Sequence, residues 1–297
     1  MPDWSIISRH VKETTGESLQ LGSVRSVGGG CINAAYTLDA DSRQFFVKIN
    51  TASGLPMFEA EAEGLTEIAE SQSIRVPEPL CFGVAGGDAY LVMEKLTLSG
   101  RGNPARLGEN LAAMHRVTRN KDGKPLFGWH RDNTIGSTPQ INNTEQDWVK
   151  FWSEYRLGYQ LKLAVKQGAG NSLAKKGELL REKLDVFFTD YQPEASLLHG
   201  DLWSGNFAYS QDGQPVIFDP AVYYGDRETD LAMTELFGGF SSDFYAAYRN
   251  SYPLDSGYTV RKTVYNLYHI LNHYNLFGGG YLSQATGMID RLLSECS

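Results

Sequence analysis

The sequence predicts an α+β protein of two lobes, a β-rich N-terminal lobe over residues 1–94 and a mostly helical C-terminal lobe over 95–297. Three observations carry this. Residues 20–94 consist of short strand-like runs separated by turn residues, with one amphipathic stretch among them. After "MEKL" (93–96) the character changes, and Gly100, Gly102 and Pro104 punctuate a short connection. Beyond it, apolar residues recur at helical spacing almost to the end, broken by one block over 196–219 where short strands flank a polar phrase.

In order, Asp3 is a reasonable N-cap for a first helix ending near Gly16. The run "LGSVRSVG" (21–28) reads as a strand leading into "GGGCIN" (28–33). "AAYTLDA" (34–40), the turn Asp41-Ser42 and "QFFVKIN" (44–50) follow. "MFEAEAEGLTEIAES" (57–71) reads as a helix with Phe58, Ala62, Leu65 and Ala69 on one face. "PLCFGVA" and "AYLVMEKL" about the turn "GGD" make a hairpin. In the second lobe Leu107, Leu111, Met114 and Val117 recur at helical spacing. The stretches 147–165, 173–188 and 228–295 are also mostly helical.

A chain of 297 residues can bury a large core. The formal net charge of −8 argues against nucleic acid or an anionic membrane surface as a partner. No apolar run approaches the roughly 18 residues that would indicate a membrane span, and the N-terminus lacks the basic-then-apolar pattern of a secretory signal. Cys31, Cys81 and Cys296 are odd in number and widely spaced, without a Cys/His cluster for zinc, so a reducing cytoplasm is the expected compartment.

The phrase "HGDLWSGNF" (199–207), followed by "IFDP" ending at Asp219-Pro220, is too polar for a core strand and too specific for a generic turn. Phosphoryl transfer needs a carboxylate to orient and deprotonate the attacking hydroxyl, oxygen ligands for Mg²⁺, and a cation on the nucleotide phosphates. Asp201 and Asn206 stand five residues apart, the offset of a proton-accepting acid and a metal-binding amide. Asp219 ends an apolar run, where a second metal ligand belongs. Lys48 sits in an alternating strand, placed to reach the α/β-phosphates of ATP. Glu61, beside Ala62 at the edge of the apolar helix face, is its best partner ahead of Glu59 and Glu63. Taken singly each feature has a plain structural explanation; the signal is their order, strand Lys, helix Glu, hinge, Asp-x₄-Asn, then Asp.

That order, with "HGDLWSGN" and "FDP" standing where protein kinases carry their "HRD" and "DFG" phrases, resembles the aminoglycoside phosphotransferase and choline kinase branch of the protein-kinase-like fold. Within that branch the chain closely resembles the fructosamine/ketosamine kinase family. The likeness is carried by "GGGCIN", "FVKIN" (46–50), "MFEAEAEGL" (57–65), "GDLWSGN" (200–206), "DPAVYYGDRETDLAM" (219–233) and "YNLYHILNHYNLFGGGY" (265–281). The resemblance implies ATP- and Mg²⁺-dependent phosphorylation of the 3-hydroxyl of ketosamines, either small molecules or adducts on glycated proteins. It makes Asp201 the base and Asn206 and Asp219 the metal ligands. Lys48, Glu61 and the turn Gly28, Gly29 and Gly30 are then expected around the phosphates, and the main chain of Met93, Glu94 and Leu96 at adenine. Trp203 is expected as a wall against the sugar, with His269 and His273 at the acceptor or in the core. His115 is expected to brace the catalytic loop from the core, His199 to be similarly structural, and Asp230 to belong to a buried structural network rather than to act directly in catalysis. Cys31, following the three glycines, is a candidate for redox control, in a monomer or a redox-linked dimer. The rivals are another small-molecule kinase of this fold, acting on an aminoglycoside, choline or a sugar, and a non-catalytic nucleotide-binding module.

Overall fold

A computed structural model of the chain describes residues 2–28 and 32–296. Gly29, Gly30 and Cys31, expected over the phosphates and at a redox switch, lie outside the described residues. The chain forms two compact units, residues 1–103 with 207–220, and residues 104–206 with 221–297.

In the first unit, helix α1 (Trp4–Thr15) is capped by Asp3, whose carboxylate accepts the N–H groups of Ser5 and Ile6, and it stops at Gly16 with φ +77°. Strands β1 (Arg25–Val27), β2 (Ala34–Asp39) and β3 (Gln44–Thr51) precede helix α2 (Leu55–Glu70); β4 (Pro79–Ala85) and β5 (Asp88–Glu94) follow it, and all five form one antiparallel sheet in the order β1-β2-β3-β5-β4. Only 25–27 of the expected first strand is extended; Leu21–Ser23 form a 3₁₀ turn. Ser23 explains the difference, since its hydroxyl takes the Asp39 N–H and donates to Gln20 O, replacing ladder bonds with side-chain ones.

The period of two along β3 sorts the residues. Phe45, Val47 and Ile49 pack with Ile7 and Val11 of α1, while Phe46 packs on the opposite face with Phe58 and Ala62 of α2. Lys48 therefore shares the face of α2. Along α2, Phe58, Ala62 and Leu65 are buried as the spacing predicts, but Ala69 is exposed and Ile68 takes the inward place. The step of three from Leu65 faces the core equally well, and Ile buries far more apolar surface than Ala.

After β6 (Leu98–Ser99) the second unit begins with α3 (Pro104–His115). Two small hairpins follow, β7 (Asn120–Lys121) with β8 (Lys124–Pro125), and β9 (Asn133–Ile135) with β10 (Thr138–Gln140). Helix α4 (Trp148–Phe151) runs through a π-helical stretch, Trp152–Gly158, into α5 (Tyr159–Lys166), and α6 (Gly170–Glu182) leads to β11 (Ser196–Leu198). The chain then contributes β12 (Phe207–Ser210) and β13 (Pro215–Ile217) to the first unit, in a sheet ordered β13-β12-β6, with Ile217 N–H donating to Arg75 O at 3.0 Å. The structural boundary thus falls at 103/104 rather than 94/95, and residues 207–220 return to the N-terminal unit because β6 supplies their strand partner.

Back in the second unit, β14 (Tyr223–Gly225) pairs antiparallel with β11, and α7 (Glu228–Leu236), α8 (Ser242–Ser251), α9 (Tyr258–Phe277) and α10 (Tyr281–Glu295) complete the chain. Helix α9 is buried along most of its length, its Tyr265 and Tyr268 packed on Trp152. Among the described residues, no helix is long and apolar enough to cross a membrane.

Candidate active site

The first unit presents a buried cation. Lys48 is 7% exposed, and its ammonium donates to Glu61 and, at 2.6 Å, to Asp219. Of the three glutamates at 59, 61 and 63, Glu61 is the one whose carboxylate meets this ammonium. Burial alone would depress the Lys48 pKa, but the two carboxylates outweigh it and hold it above the ordinary value. Burial pushes Glu61 upward, Lys48 draws it back and Asp219 pushes again, leaving it raised. Asp219 is held at φ +58°, left-handed for a non-glycine residue, and its side chain is half-exposed.

Two carboxylates meet one ammonium, and the Asp219 side chain reaches solvent. Such hard oxygen donors fit Mg²⁺, which usually takes one or two protein ligands and completes its shell with water and phosphate. Met93 is buried in the ladder opposite Phe46, and the Glu94 side chain is held by Arg75 at 2.5 Å while its N–H donates to Glu78 O at 2.8 Å. Leu96 is half-buried just past β5, and Gly28 is exposed just past β1.

The second unit carries the phrase "HGDLWSGN" (199–206). His199 is fully buried, and Gly200 turns the chain at φ +82°, where a Cβ would stand 2.1 Å from Ala221 O. Only glycine fits there. The Asp230 carboxylate accepts the N–H groups of His199 and Gly200, each at 2.8 Å, together with His115 Nε2 at 3.1 Å. Burial lowers the His115 pKa against the pull of Asp230, so the ring is neutral. Its Nε2–H donates to Asp230, which leaves Nδ1 to accept from the Tyr248 hydroxyl at 2.8 Å. Within the loop, Asp201 N–H donates to His199 Nδ1 at 3.2 Å, and the Asn206 amide donates to Asp201 O at 2.8 Å and Oδ2 at 3.3 Å. These bonds tie the carboxylate and the amide of the Asp-x₄-Asn motif to each other and turn Asn206 Oδ1 away from Asp201.

Trp203 is 39% exposed, unusual for so large an apolar side chain. Its ring lies against Gly205, where a Cβ would come within 2.3 Å of it. His269 is 4% exposed, edge-on to Tyr268, and burial drives its pKa down to about 3. His273 Nδ1–H donates to His269 O at 2.8 Å, and its half-buried ring is surrounded by Phe237, Phe277 and Tyr281. Among the described residues no cluster of three or more His, Cys, Asp or Glu side chains could hold a metal. Cys81 is buried, which pushes its thiol up to about 12.

Asp226 accepts the Glu228 N–H at the start of α7 and the hydroxyls of Tyr191 and Tyr265, while Glu228 makes a two-point contact with Arg261 at 2.8 and 3.0 Å. The charged run 226–230 is thus buried structure. Sequence reasoning missed a second polar cluster, Asn133, Gln140 and Asn142 with Arg156 and Tyr268. "DNTIGSTPQINN" carries only a loop's composition, and nothing in it separates a buried amide from a turn amide.

The fructosamine kinase family profile matches residues 3–295. The chain belongs to the fructosamine kinase family. A probable ketoamine kinase of Synechocystis sp. is 50% identical over 98% of this chain and 97% of its own. The chloroplastic protein-ribulosamine 3-kinase of Arabidopsis thaliana is 48% identical over 94% and 85%. Among solved structures, a proposed fructosamine-3-kinase from Haemophilus somnus superposes with a TM-score of 0.88 at 31% identity, covering 98% of this chain and 97% of its own. An aminoglycoside phosphotransferase gives a TM-score of 0.64 at 14% identity, covering 99% of both chains, which places the family member in the kinase-like fold and says no more than that.

Proposed function

We propose that the protein transfers the γ-phosphoryl group of ATP to the 3-hydroxyl of ketosamines, ribulosamine or fructosamine adducts on amines or on protein lysines. What carries this is the set Asp201, Asn206, Trp203, Lys48, Glu61 and Asp219, complete in a chain 48% identical to a protein-ribulosamine 3-kinase. In the proposed reaction Asp201 accepts the proton of the attacking hydroxyl, and Asn206 holds its carboxylate in place. Lys48, kept charged by Glu61 and Asp219, holds the nucleotide phosphates. Asn206 and Asp219 would hold Mg²⁺, which neutralises phosphate charge when bound. The exposed face of Trp203 offers an apolar wall to a sugar ring, and His269, neutral throughout the physiological range, offers a hydrogen bond without a charge. Phosphate on C3, the carbon next to the C2 carbonyl, leaves more readily than hydroxide: enolisation towards C1 gives the 1,2-enaminol, which expels inorganic phosphate from C3, and water hydrolyses the resulting C1 imine to release the free amine, a repair of glycation.

ATP consumption against ribulosyl-lysine, fructosyl-lysine, kanamycin and choline tests this. Turnover confined to the ketosamines is the expected outcome. Preferential use of kanamycin or choline would give the site to another small-molecule kinase activity, and binding of nucleotide without any turnover would make the chain a non-catalytic module.

A further inference from the structure

The hairpin β9–β10 sends two buried amides, Asn133 and Gln140, toward the peptide units that follow Pro220. Gln140 is 1% exposed, and its amide is fully used. Nε2 donates to Asn133 Oδ1 at 2.8 Å and to Ala221 O at 3.1 Å, and Oε1 accepts the Tyr268 hydroxyl at 2.7 Å. Ala221 O can only accept, which fixes the orientation of the amide. Asn133 Nδ2 in turn donates to Val222 O at 2.8 Å. Behind them Asn142 donates to Asn133 Oδ1 at 3.0 Å and accepts from the buried guanidinium of Arg156 at 2.8 Å.

The held peptide is not a passive neighbour. Ala221 N–H donates to His199 O at 2.8 Å, and Ala221 O is the atom against which Gly200 is packed. Asp230 grips the N–H groups of His199 and Gly200; Ala221 grips the carbonyl of His199 and the Cα of Gly200. The catalytic loop is thus held by both its donors and its acceptors, and the hold on its acceptors ends on Gln140. Tyr268, the third partner of Gln140, lies in the field of Asp201, which adds to burial in keeping its hydroxyl protonated.

We propose that Gln140 is a positioning residue for the Asp201 loop, acting through Ala221. The proposal takes Asp201 as the proton acceptor and so rests on the function proposed above. Misplacing a reacting group by about 1 Å can cost on the order of 100-fold in rate, so one amide two contacts away is enough to matter.

The test compares Gln140→Met, which removes donors and acceptor, with Gln140→Glu, which keeps the shape and the acceptor for Tyr268 but loses both donors. Hydrogen exchange of residues 199–206 is one measurement; single-turnover phosphorylation of ribulosyl-lysine, with and without Asp201→Asn, is the other. The loop amides should exchange about tenfold faster while α3 and α9 keep their protection. The transfer rate should fall about 10- to 100-fold with the Michaelis constant for ATP within about twofold. In the Asp201→Asn background the same substitution should cost less than about threefold, because the positioned group has already been disabled. Unchanged loop exchange overturns the proposal, and so does an equal loss in both backgrounds, the mark of a residue that only supports the fold. If Gln140→Met does not fold, Gln140→Glu carries the same comparisons. Exchange does not depend on the substrate, so a wild type inactive on ribulosyl-lysine defeats the functional proposal while exchange still decides the role of Gln140.

Discussion

The indole of Trp203 rests against Gly205 so closely that a Cβ at 205 would come within 2.3 Å of the ring. Gly205→Ala should therefore displace the indole without removing it, and Trp203→Ala should remove it. If the exposed ring is the sugar's wall, both raise the Michaelis constant for the ketosamine, by about 3- to 10-fold for a lost stacking contact, and leave that for ATP nearly unchanged. A rise confined to ATP would contradict this placement, and loss of folded protein in Trp203→Ala would make the ring a packing anchor instead.

Asp201→Asn keeps the shape of the loop and its bond partners on the main chain. Turnover should fall about 10²- to 10⁴-fold, the usual contribution of a positioned base, with nucleotide affinity nearly intact. Steady-state rates and nucleotide titration check this; turnover within a few-fold of wild type would remove Asp201 from the reaction.

Lys48 separates the effects of its two partners. Glu61→Gln removes a buried charge that steadies the ammonium, and ATP affinity should weaken by about 10- to 100-fold, the range of a hydrogen bond to a charged group. Asp219→Ala should instead alter the Mg²⁺ dependence of both ATP binding and turnover. Titrating ATP with and without Mg²⁺ distinguishes them, and an unchanged metal dependence in Asp219→Ala would place the metal elsewhere.

The Lys48 and Asp201 sets were legible because each rests on local order. An alternating strand puts Lys48 on the face of α2, and a fixed offset binds Asn206 to Asp201. Gln140 and Asn133 were not legible, because β9 and β10 are three residues each and their function depends on carbonyls some 80 residues away in sequence. The transfer of 207–220 to the first unit was hidden for a similar reason, a two-residue strand at 98–99. The π-helical stretch 152–158, which carries Arg156, keeps helical apolar spacing and so reads as ordinary α-helix.

The buried histidines set the response to acid. His269 titrates near 3 in the folded chain against about 6.5 when unfolded, so the unfolded state takes up a proton that the folded state refuses. Its contribution to stability is complete above pH 6.5 and is lost as pH falls toward 3, by about 1.4 kcal/mol per pH unit. His115 and His273 act in the same direction. In urea unfolding at pH 7.5 and 5.5, His269→Asn should lose about 1.4 kcal/mol less than wild type between the two. Equal losses would mean that His269 is protonated in the folded protein.

The most direct test is the position of the phosphate. Wild type and Asp201→Asn are incubated with ATP, Mg²⁺ and ribulosyl-lysine, and the product is examined by proton–phosphorus correlation NMR. A single ester at the 3-oxygen, formed by wild type and suppressed about 10²-fold or more in Asp201→Asn, is the expected result. An ester at another hydroxyl, or a 3-phosphate formed equally well without the Asp201 carboxylate, would contradict it.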